Sequence, residues 1–306
     1  MSGRLPSWFR QKLPDPAVMS NMAALVQNSG LHTICENALC PNSGECFSRN
    51  TATFLVLGDT CTRHCTFCAV KKGVPAAVDP EEPAHVLSAA RVLGLRYAVV
   101  TSVTRDDLPD GGASHFARVV EALHSGGILA EVLVPDFQGN SESLSVVFAS
   151  RPEVVNHNVE TVPRLYAEVR PSANYRRSLQ LLASLKERYP GIVTKSGMMV
   201  GLGESRDEVA QVMDDLRQAG CDLLTIGQYL RPTLQHHPVL RFVAPEEFDE
   251  YARVAESLGF AGVASAPLVR SSYHAAEMYQ VARSRLQTSG SAAPFSPSSP
   301  DKRLHS

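Results

Sequence analysis

From residue 51 onward, short apolar runs alternate along the chain with amphipathic ones. The apolar runs cover 51–58, 97–103, 128–135, 153–160, 192–201, 223–229 and 262–269, each of a length that suits a buried strand. Between them lie helix candidates at 80–94, 112–126, 143–150, 172–189, 205–220 and 245–259. Several of these open on an acidic or serine cap and stop at glycine, the marks of helix ends. Strands alternating with helices predict a parallel sheet covered by helices. The number of units suits an α/β fold built as a partial or full parallel βα barrel, TIM-like; a doubly wound sheet is the alternative.

Polar clusters follow the strands: "TSVTRDD", "PDFQGN", "NHNVE", "KSG", "GQYLRP" and "RSSYH". In a parallel barrel all those ends open on one face, where active sites are built. Residues 1–50 precede the repeat as an N-terminal extension with its own cysteines, 51–286 form the barrel, and 287–306 are Ser/Pro-rich and read as a disordered tail.

The composition is that of a globular protein, with 306 residues, 44% hydrophobic, 20% charged and a net charge of −2. That balance provides no basic footprint for nucleic acid, and no apolar run is long enough to cross a membrane. The first residues, "MSGRLPSWFRQKLPDP", lack the apolar core of a secretory signal. They are basic, as transit peptides are, but Pro6, Pro14 and Pro16 break an amphipathic helix there. The expected location is the cytoplasm.

Chemistry enters with the cysteines, of which there are seven. In a reducing compartment, clustered thiols point to metal ligation or catalysis rather than disulfides. Cys61, Cys65 and Cys68 lie in "CTRHCTFC". Three thiolates at this spacing can hold three irons of a [4Fe-4S] cluster and leave the fourth iron open to a small molecule. A zinc site is the alternative, with His64 and His32 nearby, but the paired spacing of zinc ligands is absent. A second triplet, Cys35, Cys40 and Cys46 in "CENALCPNSGECF", is interrupted by a Pro41–Gly44 turn that can fold the loop around a second cluster. Cys221 sits at a helix-to-strand junction and reads as a small buried hydrophobe.

"CTRHCTFC", with Phe67 before its last cysteine, is similar to the Cys-x3-Cys-x2-Cys motif of radical S-adenosylmethionine enzymes. The upstream Cys-x4-Cys-x5-Cys triplet resembles, more narrowly, the lipoyl synthase family. So do "FLVLGDTCTRHCTFCAV", "TSVTRDDLPDGGASHF", "NHNVETVPRLY", "TKSGMMVGLGE", "TIGQYLRPTLQHHPV" and "PLVRSSYHA", in the same order over most of the chain. This resemblance implies a radical SAM barrel and a sulfurtransferase that inserts two sulfurs into octanoyl chains carried on lysines.

It also implies two [4Fe-4S] clusters. Cys61, Cys65 and Cys68 would hold the one that binds and cleaves S-adenosyl-L-methionine. Cys35, Cys40, Cys46 and Ser272, from "RSSY", would hold an auxiliary cluster that donates sulfur. A serine oxygen is a harder ligand than thiolate and holds iron less well, which suits a cluster that is taken apart. The implied partners are octanoylated lipoyl-carrier domains (2-oxoacid dehydrogenase E2 subunits, the glycine-cleavage H protein), an electron donor such as ferredoxin or flavodoxin, and an iron–sulfur carrier. Oxygen sensitivity is expected. The alternatives are another radical sulfurtransferase, biotin-synthase-like or acting on tRNA, and a non-catalytic iron–sulfur protein.

For S-adenosylmethionine itself, the candidates are polar residues at strand ends. Asn158 and Glu160 suit the ribose or amino group, Lys195 the carboxylate, and Thr101, Ser102 and Arg105 the methionine end; for each, a salt bridge or other structural role at the barrel mouth is the alternative. Arg270 is a candidate for orienting the Ser272 loop or meeting the carrier backbone, with a structural ion pair as the alternative. "GLGE" (201–204) reads as a strand terminator, and His236–His237 as a loop element, since adjacent residues rarely share one ion.

Overall fold

The computed structural model describes residues 5–10, 15–48 and 53–290. Pro14, the boundary expected near residue 50 and the tail beyond Gly290 lie outside the described residues. Each of the seven predicted strands is present. In chain order the strands are β1 (His32–Thr33), β2 (Thr53–Val56), β3 (Thr60–Cys61), β4 (Lys71–Lys72), β5 (Tyr97–Ser102), β6 (Leu129–Leu133), β7 (Val154–Asn156), β8 (Val193–Val200), β9 (Leu223–Gln228) and β10 (Gly262–Ser265). The main sheet runs β1-β2-β5-β6-β7-β8-β9-β10. From β2 to β10 every pair is parallel and every strand lies beside its successor. A doubly wound sheet reverses direction at a switch point; this one does not. With β1 and β10 at its two edges, the sheet is an open, partial barrel.

The helices are α1 (Pro16–Asn28), α2 (Ile34–Asn37), α3 (Ser43–Ser48), α4 (Glu82–Val92), α5 (Ala113–Ser125), α6 (Ser141–Ala149), α7 (Tyr166–Val169), α8 (Tyr175–Arg188), α9 (Arg206–Gln218), α10 (Pro245–Ser257) and α11 (Ala275–Gly290). Their starts obey local chemistry. Asn140 and Asn174 accept backbone N–H groups at the heads of α6 and α8. Ser205 and Glu208 cap each other's backbone at α9, satisfying donors the first turn leaves unpaired. The extension joins the barrel through β1, which pairs antiparallel with β2.

Strand alternation stacks the barrel interior in layers. The lowest layer is the first residue of five strands, Tyr97, Leu129, Val154, Val193 and Leu223, and α11 closes it with Met278, Tyr279 and Ala282. Two residues on, Val99, Glu131, Asn156, Lys195 and Thr225 face inward. Two further on come Thr101, Leu133, Asn158, Gly197 and Gly227, which line a cavity. The middle layer holds an ion pair with no solvent exposure at either partner, Lys195 Nζ to Glu131 Oε1 at 2.9 Å. Tyr97 donates its hydroxyl to Glu131 Oε2 at 2.8 Å, and the Asn156 amide reaches Oε1 at 3.5 Å.

Candidate active site

The cavity has a volume of about 490 Å³ and opens at the C-terminal ends of the strands. All six clustered cysteines line it: Cys35, Cys40 and Cys46 from the extension, and Cys61, Cys65 and Cys68 from the loop after β2. Thr101, Ser102, Asn158, Glu160, Arg270 and Ser272 line it as well.

The Cys61–Cys68 loop is tied down at both ends and at its middle. Parallel pairing of β3 with β4 brackets it. Two backbone N–H groups, of Thr104 and Arg63, point at Cys61 Sγ from 3.3 and 3.4 Å. Hydrogen bonds of this kind orient a thiolate and tune its cluster. Arg63 is buried and reaches out of the loop to Asp106 and Asp136, both at 2.7 Å. Burial alone would raise the Asp136 carboxyl; the Arg63 guanidinium overrides this and holds it at about 2. Thr66 N–H donates to the Val169 carbonyl at 3.0 Å. The paired histidines act on the same loop: His237 N–H donates to the Thr66 carbonyl, and the His236 ring lies 3.1 Å from the Cys68 carbonyl. That is the loop role expected for them.

Just upstream, Leu57 occupies the left-handed region at φ 67°, which costs energy for a branched side chain. Its peptide is held on both sides. The Glu82 carboxylate accepts the Leu57 N–H at 2.8 Å and also meets His115 at 2.6 Å. Arg105 donates to the Leu57 carbonyl at 3.1 Å and pairs with Asp107. Arg105 is thus a buried support of the loop and not part of the cavity wall.

Lys195 is likewise absent from the wall, one layer below it and paired to Glu131. The other four candidates for S-adenosylmethionine do face the cavity. Thr101 donates its hydroxyl to the Leu133 carbonyl at 3.0 Å. Asn158 donates to Glu160 at 3.0 Å. Glu160 sits at φ 63°, locked by backbone hydrogen bonds to Gly197 and Met199; strain of this kind concentrates at functional sites. Burial pushes the Glu160 carboxyl up, against the pull of Arg170 and the Asn158 amide.

Two further cavity residues escape the sequence reading. Asn156 is on the same strand face as Asn158, a period-two signal that was available in "NHN". His157, between them, points away, sandwiched between the Val134 carbonyl and Ser178 and held at about 4, chiefly by burial. Arg170 donates to the Asn158 and Val159 carbonyls and carries no spacing signal at all.

The residues fit the groups the sequence calls for. Among the described residues, Ser102 Oγ, Asn156 Oδ1, Asn158 Oδ1 and Arg170 Nε are buried at the cavity without a hydrogen-bond partner. Buried polar atoms are satisfied almost without exception, so a donor and acceptor set of this kind awaits a polar ligand such as an amino acid joined to a nucleoside. Cys35 is buried, and the other five thiols are partly so. Burial, with Cys40 and Cys46 adding, pushes Cys35 up to about 12; burial, with Cys65 and Cys61 adding, does the same to Cys68. Among the described residues, no three His, Cys, Asp or Glu side chains gather tightly enough for a single metal ion. A four-iron cluster takes each thiolate at a different iron and so does not need that single centre.

The model of the radical SAM superfamily matches residues 55–216. The lipoyl synthase of Caldanaerobacter subterraneus subsp. tengcongensis is 56% identical over 276 residues, covering 90% of this chain and 97% of that protein. The chain belongs to the lipoyl synthase family. A second member, from Syntrophotalea carbinolica, is 54% identical and covers 88% of each chain. Solved structures support the fold alone. Streptococcus suis SuiB bound to S-adenosylmethionine aligns with TM-score 0.53 at 11% identity, over 77% of this chain and 51% of that one. The FeFe-hydrogenase maturase HydG from Carboxydothermus hydrogenoformans aligns with TM-score 0.52 at 13% identity, over 86% and 77%.

Cys35, Cys40, Cys46 and Ser272 line the same cavity. Cys35 lies in α2, whose first turn the Thr33 hydroxyl caps. Cys40 and Cys46 flank a turn in which the Cys46 N–H donates to the Asn42 carbonyl at 2.9 Å. The loop after β10 places Ser271, Ser272 and Tyr273 in the same cavity wall. Gly227 makes room for it: a Cβ there would collide with the Val269 carbonyl and come within 3.3 Å of Arg270.

Proposed function

We propose that this chain inserts two sulfur atoms, at carbons six and eight, into the octanoyl chain on a lysine of a lipoyl-carrier domain. The observation that carries the reading is the convergence of two separate cysteine triads and Ser272 on one cavity. Cys61, Cys65 and Cys68 would hold a [4Fe-4S] cluster, and Cys35, Cys40, Cys46 and Ser272 an auxiliary one. Once bound, these groups would supply reductive cleavage of S-adenosylmethionine at the first and sulfide at the second.

The chain's own residues bind and orient. Asn158, Glu160, Ser102 and Thr101 present acceptors and hydroxyls to the amino acid and ribose of S-adenosylmethionine, and Arg170 presents a cation to its carboxylate. Lys195 and Arg105, expected for that role, support it from behind. The apolar wall formed by Val99, Val103, Leu133 and Val134 keeps water and stray hydrogen donors from the reacting carbons. Arg63 and Glu82 fix the cysteine loop so that distances between the two centres hold through turnover.

The partners that follow are octanoylated E2 subunits and the glycine-cleavage H protein, a ferredoxin or flavodoxin as electron donor, and an iron–sulfur carrier that rebuilds the auxiliary cluster. The cytoplasm is the proposed location. No helix of the described residues is long and apolar enough to cross a membrane.

Anaerobic reconstitution followed by S-adenosylmethionine, a strong reductant and an octanoyl-lysyl peptide tests this by mass spectrometry. The expected product has gained two sulfurs and lost two hydrogens. Deoxyadenosine with an unchanged peptide would move the chain to another radical sulfurtransferase, of the biotin-synthase or tRNA-thiolating kind. Neither product, from protein holding both clusters, would leave a non-catalytic iron–sulfur protein.

A further inference from the structure

The loop that carries Ser272 is tied back to the extension at two points, which lie between Cys40 and Cys46 on the extension and on either side of Ser272 on the loop. Asn42, between Cys40 and Cys46, donates its side-chain amide to the Leu268 carbonyl at 2.6 Å. Glu45, next to Cys46, accepts the Tyr273 hydroxyl on both carboxylate oxygens, at 3.0 and 3.2 Å. Residues 226 and 228 positions apart in sequence are thereby joined, and Ser271 and Ser272 lie between the two ties. His274 reinforces the outer one. Its ring meets the Tyr273 ring edge-on at 4.2 Å between centroids and bridges toward Glu45 and Glu277.

The two ties differ in depth. Asn42 is buried, whereas the Tyr273–Glu45 bond is solvent-exposed. From below, the loop rests on Gly227. It therefore has a firm inner anchor and a weaker outer one, with Ser272 between.

We propose that Tyr273 and Glu45 are positioning residues that hold the Ser272 corner against Cys35, Cys40 and Cys46, with Asn42 as the fixed end. The inference rests on the reading of Ser272 as the fourth ligand of the auxiliary cluster. The strength of the outer tie then sets how readily that corner opens, and so how readily the cluster gives up iron.

The test compares Tyr273→Phe and Glu45→Leu, which removes the acceptor, with the parent chain, each as the reconstituted two-cluster protein. Mössbauer spectra on isotopically enriched iron report the oxygen-ligated site, and the rate of iron loss to a chelator reports its retention. Each variant is expected to speed iron loss about fivefold, the factor that an exposed hydrogen bond of about 1 kcal/mol supplies. The double variant is expected to match Glu45→Leu, because the Tyr273–Glu45 bond is already absent there. In a Ser272→Ala background neither substitution is expected to add anything. Unchanged rates in both variants would overturn the proposal. So would acceleration that persists without Ser272, which would mark a general loosening of the fold. If Ser272→Ala alone leaves the Mössbauer signature unchanged, the fourth-ligand reading falls and takes the latch with it.

Discussion

Replacing Lys195 with methionine tests the layered interior of the barrel and the placement of this residue behind the cavity. Lys195 and Glu131 are both fully buried and 2.9 Å apart. Methionine fills similar volume but leaves the Glu131 carboxylate with Tyr97 and Asn156 as its remaining donors. Removing one partner of a buried ion pair costs about 3–5 kcal/mol, because the remaining charge stays in a dry site. Against a total domain stability of about 5–15 kcal/mol, that is a large fraction. Replacing both partners, as Lys195→Met with Glu131→Leu, removes the stranded charge and is expected to recover most of the loss. The assay is anaerobic urea unfolding of the reconstituted protein, followed by circular dichroism, for the parent, both singles and the double. The affinity for S-adenosylmethionine of Lys195→Met is read alongside, under conditions where it is folded, and is expected to stay within about threefold of the parent. A single-variant cost below about 1 kcal/mol, or a double-variant cost equal to the sum of the singles, would refute the buried-pair argument. An affinity loss of tenfold or more without destabilisation would put Lys195 on the ligand after all.

Other expectations follow from single distances. A Cβ at Gly197 would sit 2.5 Å from Thr225 Oγ1 and 2.9 Å from Asn158 Oδ1, so Gly197→Ala should displace Asn158; equilibrium binding is expected to show S-adenosylmethionine affinity reduced about tenfold or more with iron content retained. Asp136 is held at about 2 in the folded chain against an ordinary value of 3.8, so it contributes about 2 kcal/mol of stability at neutral pH that is lost as pH falls from about 4 to about 2. Asp136→Asn should lower stability at pH 7 and flatten the acid limb of an unfolding-versus-pH curve; an unchanged limb would refute the assignment. Cys221 is fully buried and donates its thiol to the Leu223 carbonyl at 3.2 Å, away from both triads. Cys221→Ala should cost about 1–2 kcal/mol in unfolding and leave the iron per chain unchanged, whereas Cys65→Ala should cut it by about half.

Local chemistry wrote much of this molecule into its sequence. Each of the seven apolar runs is a strand because continuous apolar side chains need cover on both faces, which a parallel sheet under helices provides. The six amphipathic stretches are helices; Asn140, Asn174 and Ser205 satisfy the first turns of α6, α8 and α9, and Pro245 opens α10 where no donor is needed. The triads were legible because ligation depends on residue type and short spacing, and the inward face of Asn156 and Asn158 because side chains alternate along a strand.

Depth was not legible. Alternation says that Lys195 and Gly197 share a face, but the stagger of neighbouring strands decides that one is under the floor and the other in the wall. Arg105 read as a ligand contact because it follows a strand; its guanidinium is instead taken by Asp107 and by the left-handed peptide of Leu57, folded back beside it. Arg170 gained its place from α7 packing under the cysteine loop, a contact between segments about a hundred residues apart. α11 follows the same rule. Its small and apolar residues name no target, and closure of the barrel's lower end by Met278, Tyr279 and Ala282 exists only once five strand starts have been brought together. Faces and ligand types are local properties of the chain; depth, partner and enclosure belong to contacts between distant segments, which the tertiary structure alone creates.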